Sequence, residues 1–469
     1  MIFSHHFDPS VLREYDIRGI IGETLNAVDA FAVGRCFGSI VAQGGGRSIA
    51  VGFDGRLSSP ALEPAVVAGL KASGIAVLRI GCGPTPMLYY ASRVEGTDGA
   101  VMVTGSHNPP DHNGFKMMLG AKPYFAGAIR DLGRMAATAD VVAEAVGGER
   151  GLEMKVAYVS RLIEGWDGGD RQLSVVWDNG SGAAGDVLAM MIQRLPGKHV
   201  LLNRAIDGHF PAHHPDPTVP KNLEQLVTEV RGCGADVGIA VDGDADRIGV
   251  VDDTGVILFG DQLMVLLSRD VLERNPGAPI IADVKASQVL FDEIVRAGGR
   301  PLMWRTGHSL IKAKMAEIGA PLAGEMSGHI FFAERWYGFD DALYAAIRFL
   351  GVLARNCYPL SALRQALPQV VNTPELRIPC PDERKFVVVE ELERRLRLRG
   401  ANLTGIDGVR VTTPDGWWLL RASNTQAVLV ARAEAKDQAS LDRLKAAIVA
   451  ELIASGVAPP DFAAAASEH

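Results

Sequence analysis

The chain predicts an α/β fold: three similar mixed α/β domains followed by a C-terminal α+β domain. Three observations carry this expectation. Helical and strand patterns alternate over the first three quarters of the chain, as βαβ units require. Glycine is abundant, at 52 of 469 residues, or about 11% against a typical ~7%, which favours many tight strand-to-loop junctions. From about Gln369 the alternation gives way to turn-linked strands, the mark of antiparallel hairpins.

The first unit, residues 1–153, predicts a helix from Asn26 to Gln43 and a buried strand from Ser48 to Phe53. A helix from Pro60 to Ser73 comes next, with strands from Ala76 to Ile80 and from Ala100 to Val103, in a mainly parallel sheet. The second unit, 154–255, opens on the strand Leu173 to Asp178. Its glycine-rich turn Asn179-Gly-Ser-Gly-Ala-Ala-Gly185 leads into a helix from Val187 to Leu195 and reads as a tight strand-to-helix turn rather than a nucleotide loop. It closes on the paired strands Asp236 to Val241 and Arg247 to Val251. The third unit, 256–368, starts with the helix Asp261 to Glu273. Strands at Pro279 to Val284, Pro301 to Arg305 and His329 to Ala333 succeed it, and then a helix from Asp341 to Arg355. In the fourth unit, 369–469, a charged helix from Asp382 to Leu398 precedes strands at Gly408 to Thr412, Trp417 to Arg421 and Val428 to Glu434, and a helix from Gln438 to Ser455. The tail from Pro459 to His469 is expected to fray. Three α/β units in succession suggest divergent duplication.

Composition excludes several classes. The net charge of −8 argues against a general nucleic-acid or anionic-membrane surface, so an anionic substrate needs a local basic site. No apolar run spans a bilayer and the N-terminus does not read as a signal peptide, so a cytoplasmic protein is expected. The five cysteines are scattered with no Cys-x-x-Cys pair, indicating neither a disulfide framework nor a zinc site.

Four loops carry chemistry. In Val101-Met-Val-Thr-Gly-Ser-His-Asn-Pro-Pro110 a strand stops at Thr104-Gly105, and the two prolines stiffen the loop beyond it. Ser106 reads either as a nucleophile or phosphate carrier or as part of a Ser/Gly/Pro turn. Asp242-Gly-Asp-Ala-Asp-Arg247 sets Asp242, Asp244 and Asp246 at every second position, able to converge on one hard divalent cation, magnesium first. An EF-hand is excluded, because position six is Arg247 and position twelve Asp253. In Gly324-Glu-Met-Ser-Gly-His329, an extended loop would put Glu325, Ser327 and His329 on one face, suited to adjacent sugar hydroxyls; a polar loop with a hydrogen-bonded core histidine is the alternative. In Arg421-Ala-Ser-Asn-Thr425, a guanidinium, two hydroxyls and an amide (Arg421, Ser423, Asn424, Thr425) make a phosphate cradle, or an ordinary Ser/Asn turn. Tyr15-Asp-Ile-Arg18-Gly19, Lys116, Lys285 and Thr306-Gly-His308-Ser309 are weaker, and each is compatible with a surface position.

Taken together and in this order, the four loops resemble the α-D-phosphohexomutase superfamily, and within it the bacterial phosphomannomutase/phosphoglucomutase group. The match runs from Tyr15 to Thr425. The resemblance implies four domains around a central cleft, each giving one loop. It implies that Ser106 is stored as phosphoserine and that Asp242, Asp244 and Asp246 hold Mg2+, completed by an oxygen of the phosphorylated Ser106. It implies that Glu325 and Ser327 hold sugar hydroxyls, with His329 near the reacting oxygen. Arg421, Ser423, Asn424 and Thr425 would take the non-reacting phosphate. Arg18, Lys116, Arg247, Lys285 and His308 would surround the transferring group, with Tyr15 at the substrate. The implied reaction moves a phosphoryl group between the 1- and 6-positions of a hexose phosphate, mannose and/or glucose, through a hexose 1,6-bisphosphate. A hinge before the fourth domain would close over the ligand. Lys116, Arg247, His308 and His329 are candidates for removing the hydroxyl proton.

Departures from the family pattern are few: Ser181 stands where asparagine is common, and Gln426-Ala427 where a proline often occurs. Met326 fits hexose rather than glucosamine mutases. A phosphoglucosamine mutase, a metal-dependent sugar phosphatase and a non-catalytic sugar-phosphate-binding protein are the alternatives. A monomer or weak dimer is expected.

Overall fold

The computed structural model describes residues 4–142, 146–424 and 426–462. Four sheets succeed one another along the chain. The first runs in the order Ile17–Ile20, His112–Leu119, Gly99–Val103, Ser48–Phe53, Ala76–Cys82, Glu149–Gly151, with Lys122–Tyr124 beside His112–Leu119. It is mixed rather than mainly parallel. Ser48–Phe53 pairs in parallel with both of its neighbours, but His112–Leu119 runs antiparallel to Gly99–Val103 and to Ile17–Ile20. His112–Leu119 was not legible as a strand: it is buried on both faces along most of its length, so it shows no polar–apolar alternation.

The second sheet sets Val237–Val241 parallel to Ser174–Asp178 and antiparallel to Ile248–Asp252. In the third, Pro279–Asp283 lies between Arg300–Trp304 and Leu322–Gly324, both parallel, and Leu322–Gly324 turns back antiparallel into Ile330–Phe332. Each of the three sheets thus has a parallel centre and an antiparallel hairpin leaving it, and in every case the connection of that hairpin is one of the chemistry-bearing loops. Ser106 lies between Gly99–Val103 and His112–Leu119, the aspartates between Val237–Val241 and Ile248–Asp252, and Glu325 between Leu322–Gly324 and Ile330–Phe332. The fourth sheet is antiparallel, and the turn between Gly416–Ala422 and Val428–Ala435 carries Ser423 and Asn424.

Local signals account for most boundaries. Asn26 caps Ala27–Gln43 in a reciprocal capping box with Asp29, and Asp341 caps Ala342–Arg355 through the N–H groups of Leu343 and Tyr344. Asn179 ties its turn by donating to Gly182 O at 2.8 Å, as a structural turn should, and Ser181 takes φ +58° there, a region in which asparagine is more at ease.

The largest apolar cluster runs through the first three units, including Met102, Trp177, Leu188, Met264, Leu322 and Tyr344. The fourth unit has its own core around Val388, Leu392, Trp418 and Leu444. It meets the third over a small cluster of Val284, Trp417 and Leu419. The tail is better placed than expected: Phe462 packs against the fourth core, and Pro459 to Asp461 line a large cleft that the loops also face. Residues 463–469 of that tail lie outside the described residues. No described helix is long and apolar enough to cross a membrane, and the five cysteines are free.

Candidate functional site

The strand ending at Val103 delivers Ser106 into a loop that Arg56 holds from behind. Arg56, 1% exposed, donates to the backbone carbonyls of Ser106 (2.8 Å), Asn108 (2.5 Å), Pro109 (2.5 Å) and His112 (2.9 Å). Asp54 takes Thr104 Oγ1 (2.8 Å) and Gly105 N (3.0 Å). Gly105 is required, since a Cβ there would lie 2.3 Å from Arg56 Nε. Ser106 is left at φ +50°, a strained region for serine. Its Oγ donates to Asp242 Oδ2 at 2.8 Å and lies 3.1 Å from His107 Nδ1. Burial, with Arg247, Arg18 and Lys116 nearby, holds His107 well below the usual histidine value. It is neutral at pH 7.

Three carboxylates gather beneath the serine. Asp242, Asp244 and Asp246 are all buried, and each offers an oxygen within 4.8 Å of the others. Gly243 lets this loop press against the serine loop, because a Cβ there would lie 2.4 Å from Ser106 O. Lys116 Nζ bridges Asp244 Oδ2 (2.7 Å) and Asp246 Oδ2 (2.5 Å), while Thr85 Oγ1 donates to Asp244 Oδ2 (2.5 Å). Burial opposes the charge on Lys116, but Asp244, Asp246 and Asp242 hold it well above the ordinary lysine value. Burial and then Asp246 and Asp244 push Asp242 up, whereas Lys116 overcomes burial and holds Asp244 down. Asp244 Oδ1 and Asp246 Oδ1 are buried with no hydrogen-bond partner. Two orphaned carboxylate oxygens beside a third carboxylate suit a hard divalent cation.

The third loop is not extended. Glu325 N donates to His329 O and Gly328 N to Glu325 O, so residues 325–329 form a tight hairpin turn, with Gly328 at φ +89°. The alternation argument for one shared face therefore fails. The turn instead sends Glu325 Oε1 to accept from Gly307 N (2.7 Å), leaves Ser327 half-buried at the cleft, and packs His329 inward. His329 Nε2 accepts from Arg247 Nε at 2.9 Å. Burial opposes the charge on Arg247, but Asp216, Asp242, Asp246 and Glu325 together raise it.

In the fourth loop Arg421 is held by Asp407 (3.1 and 3.2 Å), Ser423 Oγ accepts from Gln426 N, and Asn424 Nδ2 donates to Tyr15 OH (2.7 Å). Thr425 lies outside the described residues. Tyr15 OH also donates to Thr306 O (2.8 Å), so one side chain of the first unit touches both the third and the fourth. Lys285 pairs with Glu375 (2.9 Å), and Arg18 contacts Asn108 Oδ1 (3.0 Å) and Asp16. Of the weaker candidates, Arg18, Lys116 and Lys285 are buried, and Tyr15, Thr306 and His308 are half-buried.

One cavity of about 1400 Å3 gathers these groups. Tyr15, Arg18, Ser106, Lys116, Arg247, Lys285, His308, Glu325, Ser327, His329, Arg421, Ser423 and Asn424 all line it, with the three aspartates buried beneath. Its walls carry eight lysines and arginines against five acidic residues, the reverse of the net charge of −8 on the chain. Such a cleft focuses a positive field on an anionic ligand. Sequence reasoning missed Arg56, Asp54, Asp340 and Lys312. The only local hint was Asp54-Gly-Arg56 directly after a strand.

Known proteins share this architecture. Four family models match in chain order: phosphoglucomutase/phosphomannomutase α/β/α domain I over residues 10–127, domain II over 157–255, domain III over 259–371, and the C-terminal domain over 375–451. A phosphomannomutase/phosphoglucomutase of Pseudomonas putida is 46% identical over 440 residues, 93% of this chain and 94% of its own. A phosphoglucomutase of Neisseria gonorrhoeae is 43% identical over 438 residues, 93% and 95% of the two chains. The crystal structure of a phosphoglucomutase/phosphomannomutase family protein from Burkholderia thailandensis superposes with a TM-score of 0.91 at 42% identity, covering 97% of this chain and all of that one. With four domains matched in order and nearly full-length likeness at this identity, the chain belongs to the phosphoglucomutase/phosphomannomutase family.

Proposed function

We infer that the protein interconverts the 1- and 6-phosphates of a hexose, mannose and/or glucose, by phosphoryl transfer through Ser106 and a hexose 1,6-bisphosphate. The observation that carries this reading is the 2.8 Å contact between Ser106 Oγ and Asp242 at the floor of a cationic cleft. A hydrolase triad would set a base of ordinary pKa beside the serine. Here the nearest ring is a half-buried His107 beside Arg247, Arg18 and Lys116 and held well below the usual histidine value, which suits a serine charged with phosphate in advance.

Asp242, Asp244 and Asp246 would hold Mg2+, with a phosphoserine oxygen completing the set. The ion supplies Lewis-acid neutralisation of the phosphoryl oxygens. Lys116, Arg247 and Arg18 stabilise the charge of the group in flight. Glu325 and Ser327 take sugar hydroxyls, His329 lies at the reacting oxygen, Lys285 and His308 join the basic residues around the transferring group, and Arg421, Ser423, Asn424 and Thr425, with Tyr15 at the substrate, hold the phosphate that stays. The phosphoryl leaves Ser106 Oγ for the free hydroxyl of the sugar phosphate, whose proton passes to a base of the cleft. The bisphosphate turns over without leaving, and its other phosphoryl returns to Ser106. The four domains run 1–153, 154–255, 256–368 and 369–469, each contributing one loop, and the setting is cytoplasmic.

Intact mass and turnover test this together. The wild type should carry one added phosphate and convert mannose or glucose 1-phosphate to the 6-phosphate when primed with bisphosphate, glucosamine 1-phosphate being the comparison substrate. Ser106→Ala should lose the added mass and nearly all turnover. Near-normal turnover by Ser106→Ala, or steady phosphate release without isomer, would overturn the reading.

A further inference from the structure

Beneath His329 and His308 lies a group that no motif announced. Asp340 is fully buried just ahead of the helix Ala342–Arg355. Its Oδ1 accepts from Lys312 Nζ at 2.8 Å. Its Oδ2 lies 3.0 Å from His329 Nδ1 and 3.7 Å from His308 Nδ1, and all three of these atoms lack a hydrogen-bond partner. The two rings stack, with centroids 5.5 Å apart.

The protonation of His329 is dictated from its other side. Arg247 Nε–H points at His329 Nε2 across 2.9 Å, and an arginine cannot give up its proton in a protein. Nε2 must therefore present a lone pair, and the ring proton of a neutral His329 sits on Nδ1, facing Asp340 Oδ2. We propose that Asp340 is a positioning residue for the reaction, holding His329 in its Nδ1–H tautomer so that Nε2 keeps its lone pair toward Arg247 and the cleft. Hydrogen bonds of this kind are often loose before substrate arrives and tighten in the complex. A carboxylate behind an imidazole does the same elsewhere, fixing tautomer and ring orientation.

The same corner could be read as a metal site, because Asp246, His329 and Asp340 offer ligand atoms within 4.8 Å. The tautomer argues against that. Ligation through Nδ1 would need the ring proton on Nε2, against the Arg247 N–H. Asp340 is instead already balanced by Lys312, which is 7% exposed and lies over the Tyr89 ring at 4.9 Å.

Asp340→Asn poses a conflict that the carboxylate avoids. Lys312 offers only donors, so it claims the amide oxygen. The amide NH2 then faces His329 Nδ1, which can meet it only as an acceptor. The ring proton moves to Nε2 and confronts Arg247 Nε–H. Either the His329–Arg247 contact opens or Lys312 loses its acceptor.

The proposal rests on the assignment of His329 to the reaction centre, and the test separates the two. In the 15N-histidine-labelled wild type, the His329 resonances, identified by their loss in His329→Gln, should show a protonated Nδ1 and a pyridine-type Nε2. Asp340→Asn should invert that pattern, and its kcat should fall by roughly 10–100-fold while KM hardly moves. Asp341→Asn, one residue along and directed to Tyr158 and the helix N-terminus, should change neither. A wild-type His329 protonated on Nε2 overturns the proposal, as does an Asp340→Asn enzyme of normal kcat in which His329→Gln is inactive. Normal turnover by His329→Gln would instead sink the assignment of His329 itself.

Discussion

Replacing Lys116 by methionine keeps the stem of the side chain and removes the ammonium between Asp244 Oδ2 and Asp246 Oδ2. Both carboxylates are buried, and so is the lysine, so bulk solvent screens the remaining charges little. Breaking a buried pair by deleting one partner costs about 3–5 kcal/mol, because the charge left behind is uncompensated. At about 2–4 °C per kcal/mol for domains of 150–250 residues, thermal unfolding should drop by on the order of 10 °C in chelator. A divalent cation should then become a surrogate for the missing charge. At about a hundred times its Kd it returns about 2.7 kcal/mol, more than half of the loss. The wild type, with Lys116 already in place, should gain less from the same addition. Circular dichroism melts of both proteins at pH 7, with EDTA and with excess Mg2+, read the four numbers directly. Equal melting points in EDTA, or the same Mg2+ increment in both proteins, would refute the claim that Lys116 and a cation share the compensation of one carboxylate cluster. Turnover should be lost in the variant under either condition, since the ammonium lines the cleft with Ser106 and, in the proposed reaction, stabilises the transferring group.

How legible each part of the site is in the chain depends on how far apart the cooperating residues stand. Asp242, Asp244 and Asp246 meet within one turn, so their spacing alone points to a carboxylate cluster that could hold a cation. Ser106 was visible because a strand, a glycine and two prolines bracket it within ten residues. Arg56 holds that same loop by four carbonyls, yet it stands fifty residues away, and nothing in Asp54-Gly-Arg56 says which carbonyls it will meet. Asp340 and Lys312 are equally silent, since a buried aspartate before a helix reads as a cap. The hairpin turn at Glu325–His329 is hidden in the sequence for a different reason. Alternation of three polar residues fits an extended segment, but Gly328 at φ +89° bends the chain, and a Cβ there would lie 2.4 Å from Ile248 O, a contact with another unit. The fold was more legible than the loops, because parallel strands betray themselves as short apolar runs. His112–Leu119 escaped because Asn113, Gly114 and Lys116 interrupt its apolar pattern at positions that the structure buries.

Two further perturbations separate closure from stability. Tyr15→Phe removes the hydroxyl that joins Thr306 O to Asn424, two hydrogen bonds of about 0.5–1.5 kcal/mol each between three units, so the melting point should fall by a few degrees and KM for the hexose phosphate should rise by up to roughly tenfold. An unchanged KM would mean that Tyr15 does not help to hold the first, third and fourth units around the ligand. Asp341→Asn tests a buried acid. Burial, only partly offset by the N–H groups of Tyr344 and Leu343 and by Tyr158, raises Asp341 to about 7, against about 3.9 in an unfolded chain. The native state therefore holds this proton more tightly than the unfolded state. Its stabilisation is complete below about pH 4 and is lost as pH rises through 7, at up to ~1.4 kcal/mol per unit across that window. Asparagine caps the helix as well as aspartate and carries no charge to bury. Asp341→Asn should then melt above the wild type at pH 8, by an increment that shrinks steadily toward pH 5. A difference that does not vary with pH would show that Asp341 is not protonated in the folded protein.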